Sequence, residues 1–137
     1  MVVNDPTLEP CLADLTASLT GTASLAPGDD LEIDLQGGPG LPVLILAAVD
    51  RFALGLGALG YTQVDLFHAV RLADSGLLGV PLPNSNIDAL GHWHLSQPTP
   101  QEVALVGWGF WVEAFILDPQ ALNGSFHQPR ALRIDFH

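Results

Sequence analysis

The 137-residue chain sets fifteen carboxylates against four arginines (Arg51, Arg71, Arg130, Arg133) and no lysine, a net charge of −11. That field repels phosphate backbones and anionic lipid, which argues against nucleic-acid binding and membrane insertion, while 48% apolar residues exclude global disorder. The length suits one domain able to bury a core without disulfide staples, and the single Cys11 has no internal partner to pair with. No run approaches the ~18 apolar residues that a spanning helix needs. The opening Met-Val-Val-Asn-Asp-Pro is not a basic segment followed by an apolar one, and is read as a mature segment given a start methionine.

Residues 1–13 read as an N-terminal arm and 14–137 as the folded domain. Asp14 to Leu19 alternates, with Leu15, Ala17 and Leu19 on one face. Ala26-Pro-Gly-Asp-Asp30 is a turn in which Pro27 presets φ and Gly28 permits a positive one. Asp30 to Gln36 alternates strictly, Leu31, Ile33 and Leu35 inward and the acids outward. Gly37-Gly-Pro-Gly40 ends that strand, and Pro42 to Val49 is a continuous apolar run of the kind covered on both faces.

Glycines at 55, 57 and 60 mark a crossing loop; they spell Gly-x-Gly-x-x-Gly, but no βαβ frame surrounds them. Val64 to Leu72 could be strand or short helix, and context favours a strand. Gly79 to Pro83 reads as a short extended piece. Gly91 to Ser96 alternates, with Trp93 and Leu95 opposite His92, His94 and Ser96, until Gln97-Pro98 breaks it. Val103 to Gly107 approaches a long apolar strand that runs to a turn at Asp118-Pro119. An irregular crossing, with an Asn123-Gly-Ser125 sequon that marks an exposed loop, leads to a last alternating strand, Arg130 to His137. Some seven to nine short strands, with turn signals about every 8–12 residues, predict an all-β fold. The expectation is a single antiparallel β-sandwich, Ig-like or jelly-roll-like.

Three blocks of the chain occur together in a known kind of module. The first is Leu31–Leu35, the Gly37–Gly40 hairpin and Leu41–Val49. The second is Asp88-Ala-Leu-Gly91, His92–Gln97 and Pro98. The third runs from Val106 to Phe136 through Ala114-Phe-Ile-Leu-Asp-Pro119. In their order and spacing, over residues 14 to 136, they resemble a module at the C-termini of secreted multidomain proteins of planctomycetes and similar environmental bacteria. Such modules often carry cysteines in a Gly/Cys-rich entry and Ser-Asn before the last strand. Here Cys11 stands alone and Gln128-Pro129 precedes Arg130. The resemblance implies an extracellular or cell-surface β-sandwich with no assigned chemistry, and it supplies no catalytic residue.

Candidate chemistry is sparse. His92 and His94 share a strand face and could ligate a metal, but no spacing supplies a third ligand; generic outward positions explain them as well. Asp29, Asp30, Glu32 and Asp34 could offer oxygens to calcium, yet a solvated strand face accounts for them equally. On the long strand Phe110, Val112, Ala114 and Ile116 share one face, and Trp111, Glu113, Phe115 and Leu117 the other. If the second face is open, Trp108, Trp111 and Phe115 form a platform for sugar or a protein partner; if it is covered, they are core. No nucleophile elbow appears, and a phosphate loop would need the lysine that the chain lacks. The sequence therefore predicts a protein that is not an enzyme and needs no cofactor. The expected role is a structural, self-assembling surface subunit or adhesion module, working through sheet edges and the Met1–Pro10 arm. Its partner would be itself or another extracellular protein. The alternative is a carbohydrate-binding accessory module using exposed aromatics. A standalone chain favours assembly, since a binding module is ordinarily tethered to the domain it serves.

Overall fold

The computed structural model describes residues 17–50, 55, 61–64, 68–121 and 124–137. The arm, Cys11, Leu15, most of the glycine-rich crossing and Asn123 lie outside the described residues. Among the described residues nine strands follow in chain order: β1 Ser18–Gly21, β2 Ser24–Leu25, β3 Asp30–Gln36, β4 Val43–Ala48, β5 Val70–Asp74, β6 His92–Pro98, β7 Gly109–Leu117, β8 Phe126–His127 and β9 Leu132–Phe136.

They form two sheets. The smaller is ordered β1-β3-β6 and the larger β2-β9-β7-β4-β5, with β8 also pairing β7. The pairing of β3 with β6 on one sheet, and of β7 with both β4 and β9 on the other, is the strand order of an immunoglobulin-type sandwich. This decides between the two sandwich types that the sequence left open. One short pairing, β2 with β9, is parallel rather than antiparallel. It arises because the chain leaves the small sheet after β1 and joins the large one at β2.

Period-two alternation builds the space between the sheets. Leu31, Ile33 and Leu35 from β3 and Trp93 from β6 meet Val43, Ile45, Val112, Ala114, Ile116 and Ile134 from the large sheet. Trp93 takes its indole N–H into the core and donates it to the Asn84 carbonyl at 2.6 Å, so burying this ring leaves no donor unpaired.

β4 and β7 also bury their other faces. Leu44, Leu46 and Ala48 from β4 join Phe115 from β7, Phe126 from β8 and Val64 in a second cluster on the outer side of the large sheet. The continuous apolar spelling of β4 has this cause: each alternate residue belongs to a different core.

Both flanks of the sandwich are closed. On one, the β1-to-β2 switch passes from sheet to sheet. On the other, residues 82–88 run from β5 to β6 along the strand edges. There Asp74 N–H donates to Ser85 Oγ, Leu82 N–H to the Asp74 carbonyl, Val43 N–H to the Ser85 carbonyl and Asp88 N–H to the His92 carbonyl. β6 then ends at Pro98, which has no N–H to offer a further strand, and β5 carries a bulge opposite Ile45 and Leu46. These are familiar ways to blunt an edge.

Two predicted elements shift. Val64 is not in a strand; β5 begins at Val70, because the Gln63 and Val64 N–H groups go to a side chain instead of a ladder. Gly79 to Pro83 is not a strand but a bend after β5. The approach to β7 contains a single 3-10 turn, Val103–Leu105, closed by Leu105 N–H to the Glu102 carbonyl.

Candidate functional site

Three groups of residues hold the chemistry that the fold displays, and one of them, built on Asp74, was not singled out in the sequence. The first is the aromatic set of β7. Alternation sends Trp111, Glu113 and Phe115 to the outer face of the large sheet, as expected. That face is not open. Phe115 is only 5% exposed and packs edge-on against Phe126, with ring centroids 5.0 Å apart. Trp111 is half-buried, with the Arg133 guanidinium 5.2 Å from its ring centroid. That guanidinium is held in turn by Asp135 at 2.9 Å. Gly109 permits the arrangement, since a Cβ there would collide with Arg133 and Asp135. Phe115 is therefore removed from the predicted platform by the second core, and Trp111 is largely claimed by Arg133. Trp108, at 59% exposure, stays in solvent.

What covers the face is residues 61–64, and what holds them is Glu113. Its carboxylate is fully buried and accepts from the Gln63 N–H at 3.0 and 2.8 Å, from the Val64 N–H at 3.4 Å and from Gln128 Nε2 at 2.6 Å. Gln63 extends the tie with its own amide, donating to the Pro129 carbonyl and accepting from the Ala131 N–H. Burial pushes the Glu113 pKa above the ordinary carboxylate value, against the downward pull of those donors. The visible signal was a lone acid in an apolar strand covered on both sides, which must find donors. The identity of those donors, on Gln63, Val64 and Gln128, was not legible.

The second group lies on the outer face of the small sheet, where His92 and His94 project beside the acids of β3. His94 is paired with Asp34 across the strands. Its Nδ1 is 2.8 Å from Asp34 Oδ1 and its Nε2 is 3.2 Å from Glu32 Oε1; Glu32 also accepts from Ser96 Oγ. The Asp34 hydrogen bond raises the His94 pKa, partly opposed by desolvation and reinforced by the Asp34 and Glu32 charges. Both ring nitrogens face carboxylates, so His94, when protonated, ties Asp34 and Glu32 across the strands. His92 lies one pair further on, opposite Gln36. Among the described residues, no group of three or more His, Cys, Asp or Glu is arranged to hold a metal ion, so the predicted His92/His94 metal pair gains no third ligand. Of the calcium candidates, Asp29 Oδ2 accepts from the Ala26 N–H within its own turn, and Glu32 and Asp34 face Ser96 and His94. Ser96 and His94 do not form a nucleophile–base pair, because Glu32 stands between them.

The third group is built on Asp74. Its carboxylate is solvent-inaccessible and accepts from the N–H groups of Gly76, Leu77 and Leu78 and from Arg71 Nη1. Burial alone would raise this carboxyl; Arg71 and the three backbone donors outweigh it and hold its pKa at about 2. Arg71 also donates to the Val80 carbonyl. A buried charge thus fixes a loop whose own side chains, Leu77, Leu78 and Val80, stand 58, 54 and 78% exposed. Asp88 does similar work for the next turn, taking the N–H groups of Leu90 and His92, while Gly91 adopts φ +86°.

Fold and surface together define an immunoglobulin-type β-sandwich with one polar outer face, one self-covered outer face, and apolar residues displayed on pinned loops. The chain matches no protein-family model, and no curated protein is detectably similar to it.

Proposed function

We propose that this chain is a non-catalytic structural module, extracellular or at the cell surface, that works by assembling with copies of itself or adhering to another protein. The observation that carries this reading is where its exposed apolar side chains lie. Leu77, Leu78, Val80 and Leu90 project near one end of the sandwich, and Val103, Val106 and Trp108 at the other. Ordered loops that keep such groups in water suit a contact surface. The extracellular placement rests on the sequence resemblance. The blunted edges of β5 and β6 move the expected contacts from the sheet edges to the loops. Sedimentation velocity over a concentration series tests the assembly form, which predicts growing species. A single monomeric boundary throughout would count against it.

A second reading, a carbohydrate-binding module, keeps one supporting observation, the exposed Trp108. It predicts depletion of the protein by an insoluble polysaccharide and loss of that depletion in Trp108→Ala. Equal depletion of both forms would remove the reading.

A further inference from the structure

We propose that residues 61–64 form a proton-linked cover, which closes over the outer apolar face of the large sheet with uptake of a proton at Glu113 and loosens as the pH rises. The inference goes beyond the assembly reading and does not depend on it.

Two buried carboxylates differ in the company they keep. Asp74 accepts from three backbone N–H groups and from the Arg71 guanidinium at 2.8 Å. Glu113 accepts from the Gln63 and Val64 N–H groups and from Gln128 Nε2, all neutral donors. The charged and titratable groups around it are directed elsewhere. Arg133 of β9 lies over Trp111 and pairs with Asp135, and Arg71 of β5 is held by Asp74. His127 of β8 faces Asp118. Tyr61 in the cover, His68 ahead of β5 and Arg130 ahead of β9 are exposed. The outward residues of β4, Leu44, Leu46 and Ala48, carry no ionisable group. Among the described residues no cation pairs with Glu113. A charge buried without a counter-charge is costly even when it is hydrogen-bonded.

Burial raises the Glu113 pKa above the ordinary 4.5, and its donors only partly oppose this. Once the cover opens, water reaches the carboxyl and the ordinary value returns. The closed state therefore binds the proton more tightly than the open one. Closure is most stable below about pH 4.5 and weakens as the pH rises through the closed-state pKa. Asp74 runs the other way, since its lowered pKa makes its loop the one that acid loosens.

The partners of Glu113 can serve both forms of the acid. A neutral carboxyl keeps a carbonyl oxygen for the Gln63 N–H and gains an O–H that needs an acceptor. The Gln128 carboxamide, 2.6 Å away, offers its oxygen after a half-turn. What the cover hides is Leu44, Leu46, Phe115 and Phe126, with Val64 as its own share of the cluster. Loosening it returns that apolar face to water, so the pH sets how often the face is displayed.

The test is amide hydrogen exchange at Gln63 and Val64 in the full chain from about pH 5 to pH 8, with rates corrected for base catalysis. His94→Gln serves as the background, since His94 also titrates in that range. Protection of the two amides is expected to fall about fivefold or more across the series. With Glu113→Gln added, a neutral side chain of the same shape, protection should stay level and exceed that of the background at the upper end. Protection that is level without Glu113→Gln, or that falls equally with it, overturns the inference. A carbon-13 titration of the Glu113 carboxyl in wild type gives a second measurement that needs no variant to fold. A midpoint above the ordinary 4.5 supports the linkage, and one at or below 4.5 overturns it.

Discussion

The two outer faces of this sandwich solve the same problem in opposite ways. The small sheet turns Glu32, Asp34, His92, His94 and Ser96 to water and makes only exposed, cross-strand contacts there. The large sheet turns Leu44, Leu46 and Phe115 outward, then covers them with residues 61–64 and fixes that cover with one buried carboxylate. On the first face polarity is spread thinly, and each group is worth little because water competes for it. On the second, polarity is concentrated in Glu113, whose donors have no alternative once buried. An outward residue in a strand is therefore no guide to its energetic weight; the weight is set by what crosses above it.

The sharpest way to break this comparison is to empty the covered face. Phe115→Ala should cost about 3–5 kcal/mol in urea unfolding, the cost of a large cavity. A loss near zero would mean that the face is open after all. Next, Glu113→Ala should cost about 3 kcal/mol, because the Gln63, Val64 and Gln128 donors are left buried without an acceptor. Asp74→Ala should cost about 2 kcal/mol by the same logic applied to the loop. Asp74 also sets a pH window. With the folded pKa at about 2 and the ordinary value 3.8, its contribution is present above about pH 4 and lost as pH falls through 2. The acid limb of an unfolding profile should flatten in Asp74→Asn.

The smallest effect belongs to the polar face. His94 has a raised pKa, so its contribution is present in full below the ordinary value of 6.5 and lost as pH rises through the folded pKa. The thermal midpoint of wild type should decline slightly across that range, and His94→Gln should remove the decline. An unchanged pH slope in His94→Gln would show that this pairing contributes nothing in solution.

Much of the fold was legible because alternation is a local signal. β3 coincides with its predicted span, and β4, β6, β7 and β9 fall within a residue or two of theirs. The two-residue strands β2 and β8 were missed, since two residues cannot show a period. β5 was placed too early because Val64 is apolar for a reason unrelated to strands: it packs in the cover. For the site, the sequence supplied the alternation of Trp111, Glu113 and Phe115 but not which face had a second layer above it. That depended on residues 61–64, which show no strand alternation. His94 was visible as an outward histidine beside His92 and Ser96, yet its pairing with acids required the Asp34 register, which only the pairing of β3 with β6 sets.

The central claim, that the large sheet's outer face is closed by its own chain through Glu113, is tested most directly by native-state amide hydrogen exchange at Gln63 and Val64. Both N–H groups end on the Glu113 carboxylate. They should exchange as slowly as neighbouring β7 amides in wild type, and become fast in Glu113→Ala while the β3 amides remain protected. Exchange of Gln63 and Val64 at free-peptide rates in wild type, with β7 still protected, would contradict the account.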